Sequence, residues 1–221
     1  MSRDPGESWV EALYSLRPSP VVVELYAAPL RDVSLRGRVA LCLVCVERAL
    51  AQLESVPAEI ASALESMWGF VEAEDIVEWD NDPEAQRGFD PVYRFMCLAQ
   101  HREAPPRSAI AAVERLREFD LEVIWMLWGA YDIPAGYLYS KIDEGYGKES
   151  VDGVLQTLEI ARRRGIPLPS LEPFLAARFS EDAGWGKPMS RWSFRDAGCT
   201  NQGFPFTGTR PVPGYLLPFE Y

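Results

Sequence analysis

The chain has 221 residues, of which 48% are hydrophobic and 25% charged, with a formal charge of −11. These values describe a globular protein and exclude disordered, collagenous and fibrous classes. With a pI near 4.7, the charge balance argues against nucleic acid or an anionic membrane as direct partners, since phosphate binding depends on clustered Lys and Arg.

Trp9, Leu13 and Leu16 have helical spacing, and the β-branched run Val21 to Val23, reaching Tyr26, predicts an extended segment after Pro18 and Pro20. From residue 35 to 53 the chain is apolar nearly all round through Val39 to Val46, then amphipathic, with Glu47, Arg48 and Gln52 on the outer face. That pattern predicts a central buried helix. Pro57 suits a first turn, and Ile60, Leu64, Met67 or Trp68, and Val71 predict a second helix over 57–73. Residues 72–88 read as a helical turn followed by a surface loop, limited by Pro83 and Gly88. Asp90 before Pro91 reads as an N-cap for a helix over 91–102. Val113, Leu116, Val123 and Leu127 predict one long helix from about Ser108 to Gly129.

Ser150 reads as the cap of a further helix that ends in Arg162, Arg163, Arg164 and Gly165, with Pro167 beyond, the order that helix-end electrostatics and a left-handed cap favour. Prolines and aromatics dominate after Gly165. Trp185, Trp192, Phe194, Phe204, Phe206, Tyr215 and Phe219 are too apolar for a solvated linker, so this tail is expected to wrap the helices. The prediction is a mainly α, single-domain helical bundle, with a body over about 1–165 and an irregular Pro/Gly/aromatic wrap over 166–221. The amino terminus lacks the basic-then-apolar pattern of a secretory signal, and Val39 to Val46 and Val123 to Tyr131 are about half the roughly 20 residues of a membrane span, so a cytoplasmic protein is expected.

Catalytic motifs are sparse. His101 is the one histidine, which excludes two-imidazole zinc sites; it reads as a solvated helix-end residue, and no GxSxG elbow supports a triad. Cys42 and Cys45 form a CxxC inside an apolar helical run, where core packing is the expected role; Cys97 and Cys199 stand alone, and four scattered cysteines suggest reduced thiols. GYGKES from Gly145 lacks the spacing of a phosphate loop, and Asp80, Asp82 and Glu84 resemble a calcium loop interrupted by Pro83 and Ala85. No metal site and no cofactor are expected.

Charge distribution is the distinctive feature. No basic residue lies between Arg48 and Arg87, while Glu54, Glu59, Glu65, Glu72, Glu74, Asp75, Glu78, Asp80, Asp82 and Glu84 contribute ten negative charges. Glu72 to Glu84, with Trp79 among the carboxylates, reads as an interface: the indole would be an anchor and the acids would steer a basic partner. The alternative is a solvated face with Trp79 stapling the loop to the core. Tyr131, Asp132, Tyr137, Tyr139, Lys141, Asp143, Glu144 and Tyr146 form a second candidate cluster, with Tyr137, Tyr139, Asp143, Glu144 and Tyr146 as its partner-binding residues.

Two stretches, MWGFVEAEDIVEWD from Met67 and ARRRGIPLPSLEPFLAARFSEDAGWGKP from Ala161, resemble segments of bacterial immunity-type proteins encoded beside polymorphic toxins. The resemblance covers about a fifth of the chain and carries no catalytic motif. It implies a non-enzymatic protein that neutralises a toxin, compatible with an acidic surface inhibiting a basic nuclease-like domain. Two rival readings remain: an enzyme with Asp143, Glu144 or Asp196 as acid-base groups in a pocket between body and tail, or an oligomeric adaptor that buries the aromatic tail.

Overall fold

The computed structural model describes residues 5–100, 106–138 and 146–196. The described residues form eleven α-helices and no strand: α1 Pro5–Tyr14, α2 Pro20–Tyr26, α3 Leu35–Leu50, α4 Ala58–Glu72, α5 Ile76–Asn81, α6 Pro83–Arg87, α7 Asp90–Ala99, α8 Ile110–Arg117, α9 Leu121–Tyr137, α10 Lys148–Arg163 and α11 Arg191–Asp196. None of them is long and apolar enough to cross a membrane. The mainly α class expected from helical periodicity is the class observed.

α3 is the axis of the bundle. Ser34 caps it by accepting the Gly37 N–H at 3.1 Å, and all its residues except Arg48 are buried, against α4, α9 and α10. Its apolar girth continues into one core cluster that runs from Val10 to Phe194. Burial extends to charged side chains, contrary to the outer-face reading of Glu47. Glu47 accepts hydrogen bonds from Trp68 Nε1 at 2.9 Å and from Arg191, a residue 144 positions away, so a distant cation permits its burial. Arg36 Nη1 donates to the carbonyls of Phe70, Val71 and Ala73 and so completes the carboxyl end of α4. Arg38 donates to Leu30 O, Tyr146 O, Gly147 O and Ser150 Oγ, tying α3 to the start of α10; burial lowers its pKa to about 10.

Several boundaries differ from the sequence reading. Val21 to Val23 are helical, not extended: Pro20 occupies the first turn of α2, and Val22 and Tyr26, four residues apart, face the core. The long helix expected over 108–129 is two. Asp120 interrupts it by capping α9 through the N–H groups of Glu122 and Val123. α9 then continues through Gly129 and Pro134, because burial of Ile124, Met126, Leu127 and Ala130 outweighs the glycine and proline penalties. Ser150 is not the cap of α10. That helix starts at Lys148 after left-handed Gly147, and the Ser150 hydroxyl donates to Gly147 O. Its far end is as expected, with Gly165 at φ +70° and the Ile166 N–H returning to Ala161 O.

The described part of the tail, 166–196, wraps α3 and α4. Its backbone pairs with the entry to α3 (Ser34 N to Ala177 O, 3.0 Å; Phe179 N to Asp32 O, 2.9 Å; Arg36 N to Trp185 O, 3.3 Å) and with α4 (Met189 N to Val71 O, 3.1 Å). Gly37 and Gly186 are required there, because a Cβ would fall 2.6 Å from Val33 Cγ1 and 2.4 Å from Ser34. Phe174 and Phe194 stack at 4.7 Å and close the wrap over Trp68. Phe204, Phe206, Tyr215 and Phe219 lie outside the described residues.

Candidate functional site

The acidic segment folds as two short helices in place of the expected turn and loop. Asp75 caps α5, accepting from Val77 N at 2.7 Å and Glu78 N at 3.1 Å; Asp82 caps α6, accepting from Glu84 N at 2.9 Å, with Pro83 at the first position. Glu78 and Glu84 lie in first turns, where the helix dipole favours a negative charge. Asp80 accepts from Gln86 Nε2 at 2.9 Å and joins the two helices. Alternating acids that resemble a calcium loop are therefore cap and bridge residues, and no grouping able to hold a metal ion occurs among the described residues.

The ten acids do not share one role. Glu59 pairs with Arg115 of α8, Glu65 pairs with Arg191 at 2.9 Å, and Glu72 accepts the Arg191 N–H at 2.8 Å. Glu74, Asp75, Glu78, Asp82 and Glu84 remain exposed and form an acidic ledge. Its outward position is fixed by Trp79, whose placement differs from the anchor reading. The indole is only 8% exposed and packs edge-on against Phe70 at 5.2 Å, so it holds the ledge to the core and is not presented to a partner. Its Nε1 has no hydrogen-bond partner among the described residues.

In the second cluster, Tyr137 donates its hydroxyl to Glu149 at 2.9 Å, and burial together with that carboxylate raises its pKa. Tyr146 lies under the Arg31 guanidinium, 4.8 Å from the ring centroid. Tyr139, Lys141, Asp143 and Glu144, and likewise His101 and Cys199, lie outside the described residues; the Asp196 side chain does too. A small cavity of about 290 Å³ between body and wrap is lined by Arg31, Asp32, Tyr146 and Arg178, with Asp32 its one carboxylate among the described residues. Cys42 and Cys45 are fully buried. Burial pushes the Cys42 thiol up to about 12 and raises Cys45 as well, the opposite of what thiol-disulfide exchange needs. Lys148 of the Gly-Lys pair forms an ion pair with Asp152 at 2.6 Å.

Two concavities were not anticipated from the sequence. One, of about 610 Å³, lies beside the ledge between α6, α7 and α8, over the Phe89–Tyr131 stack (4.3 Å). Burial, with Tyr93 and Asp80 nearby, pushes Tyr131 up to about 12. The other, of about 440 Å³, lies between α9 and α10. Gly129, Gly136 and Gly153, glycines inside the two helices, are among its lining residues. Comparison of the chain with family models, curated proteins and solved structures finds no match.

Proposed function

We propose that this chain is a non-enzymatic binding protein that occludes a basic protein, and more specifically that it acts as an immunity protein for a cognate bacterial toxin domain. The observation that carries the reading is the ledge: five exposed carboxylates, Glu78 and Glu84 within two consecutive short helices, Asp75 and Asp82 at their caps and Glu74 in the corner before them, with Arg87 the one basic side chain in those helices, itself 3.7 Å from Glu84. Short helices held at Asp75 and Asp82 fix the acids in place, so a partner meets a preorganised negative field, which accelerates encounter and imitates the phosphates a basic protein grips. Trp79 contributes as the staple behind the ledge. The adjacent 610 Å³ groove offers aromatic surface on which a docked partner could bury area once the acids have oriented it.

The test is capture of partners on the immobilised full chain from its native cell, followed by hydrogen-exchange mapping of the complex. Protection of residues 74–87 by a basic toxin domain is the expected result. Protection confined to other faces, or capture of neutral and acidic proteins alone, overturns the reading.

A further inference from the structure

The cavity of about 290 Å³ lies where three pieces of chain meet: the turn Pro29–Arg31 with Asp32 after it, Tyr146 at the start of α10, and the wrap. Its walls are fixed by the backbone. The Phe179 N–H donates to Asp32 O at 2.9 Å, and Val33 pairs with Arg178 in an antiparallel bridge. Arg38 ties all three pieces together from the interior. It donates to Leu30 O at 2.9 Å, to Tyr146 O at 2.7 Å and to Ser150 Oγ at 2.6 Å, and its guanidinium lies 4.8 Å from the Phe179 ring centroid.

Charge around this cavity does not balance. Arg38 is fully buried, yet its acceptors are carbonyls and one hydroxyl, and it has no carboxylate partner among the described residues. Buried cations are ordinarily paired, because a desolvated lone charge is costly. Arg31 and Arg178 line the cavity itself, and neither forms an ion pair among the described residues. Asp32, the one carboxylate described in the lining, is within ion-pair distance of neither. Tyr146 orients Arg31, whose guanidinium lies 4.8 Å from the ring centroid. Glu181 is committed elsewhere: it accepts the Arg178 backbone N–H at 3.1 Å and pairs with Lys187 at 3.5 Å. Cationic excess is thus concentrated here in a chain of net charge −11.

We propose that this cavity binds a phosphate group, as the free ion or as a small monoester. Guanidinium forks match phosphate oxygens and hold them by charge-assisted hydrogen bonds, and the Ser180 hydroxyl in the same lining adds a donor. An anion bound there supplies the counter-charge that Arg38 lacks. Tyr146 and Phe179 offer ring surface to the organic part of an ester, and the volume restricts the ligand to a small one. None of these residues belongs to α5 or α6, so the test bears on this site and leaves the ledge untouched.

Isothermal titration of the full chain with inorganic phosphate and with phenyl phosphate, at constant ionic strength, tests the assignment. Saturable one-to-one binding is expected; tighter phenyl phosphate assigns the site to a monoester, and phosphate bound as tightly assigns it to the free ion. Arg31 and Arg178 are exposed, so Arg31→Gln/Arg178→Gln should fold as the native chain does while weakening phosphate by about tenfold or more. Asp32→Asn should tighten binding by removing a repulsion. Arg163→Gln, at an exposed arginine outside the cavity, should leave it unchanged. The proposal is overturned by absence of saturable binding, by unchanged affinity in the double variant, by weaker binding in Asp32→Asn, or by an equal loss in Arg163→Gln, which would mean diffuse attraction.

Discussion

Arg191 donates through Nε and Nη2 to a single oxygen of the buried Glu47, at 3.1 and 2.9 Å, and so locks the last described helix onto the central one. The guanidinium also lies 5.3 Å from the Trp68 ring centroid and reaches both oxygens of Glu65. Removing one partner of a buried pair leaves the other charge uncompensated, whereas removing both does not. Arg191→Met should therefore destabilise the fold by about 3–5 kcal/mol in urea titrations. Glu47→Met/Arg191→Met should recover a large part of that loss; a double variant as unstable as the sum of both singles would contradict the pairing.

Glu159 makes stability depend on acid. Hydrogen bonds from Arg162, and from the Ser19 N–H at 3.1 Å, hold its carboxyl at about 2 against an ordinary 4.5, although burial opposes them. As pH falls, the unfolded chain takes up this proton before the folded one. The stabilisation is complete above pH 4.5 and is lost by about pH 2. It amounts to at most about 3 kcal/mol. Glu159→Gln should flatten the denaturation free energy across that window, and parallel curves for the two proteins would count against this account.

Helix capping by the acids can be separated from their charge. Asp75→Ala should cost about 1 kcal/mol by removing the cap of α5, while Asp75→Asn, which still accepts the two N–H groups, should cost almost nothing. Thermal unfolding of the two variants decides the matter. Equal losses would mean that the negative charge, not the cap, supports α5.

Buried thiols should be silent. Cys42, Cys45 and Cys97 are all buried and free, and burial disfavours the thiolate at Cys42 and Cys45. Iodoacetamide at pH 8 followed by peptide mapping should leave Cys42 and Cys45 unmodified until denaturant is added. Rapid labelling of either in the folded protein would restore a redox reading of the CxxC.

Gly136→Ala and Gly153→Ala should each stabilise the chain, by about 0.5–1 kcal/mol, because alanine is the better helix former and the added methyl meets open space. Differential scanning calorimetry provides the check, and a loss of stability would show contacts that the cleft geometry does not contain.

How far the sequence discloses this molecule depends on the range of the interactions involved. α3 was legible because eight apolar residues in a row leave no polar face, and the end of α10 because Arg-rich turn, glycine and proline are local signals. α2 was misread: a β-branched run favours strand by local preference, and only the burial of Val22 and Tyr26 against the bundle selects helix. Glu47 looked like an outer-face residue because its partner stands 144 positions away. Of the site, the charge of residues 72–84 was evident, but the inward turn of Trp79 was not, since it depends on Phe70 across the α4–α5 corner. The α9–α10 cleft was hidden for a similar reason: its two stripes are recognisable only once the helices lie side by side.

The ledge is tested most directly by association kinetics between this chain and the partner it captures, at about 50 and 500 mM salt, for the native protein and a Glu74→Gln/Glu78→Gln/Asp82→Asn/Glu84→Gln variant. The account predicts an association rate that falls at least tenfold with salt for the native chain, and a slower, nearly salt-independent rate for the variant at unchanged stability. Identical rates and salt dependence for the two proteins would contradict it.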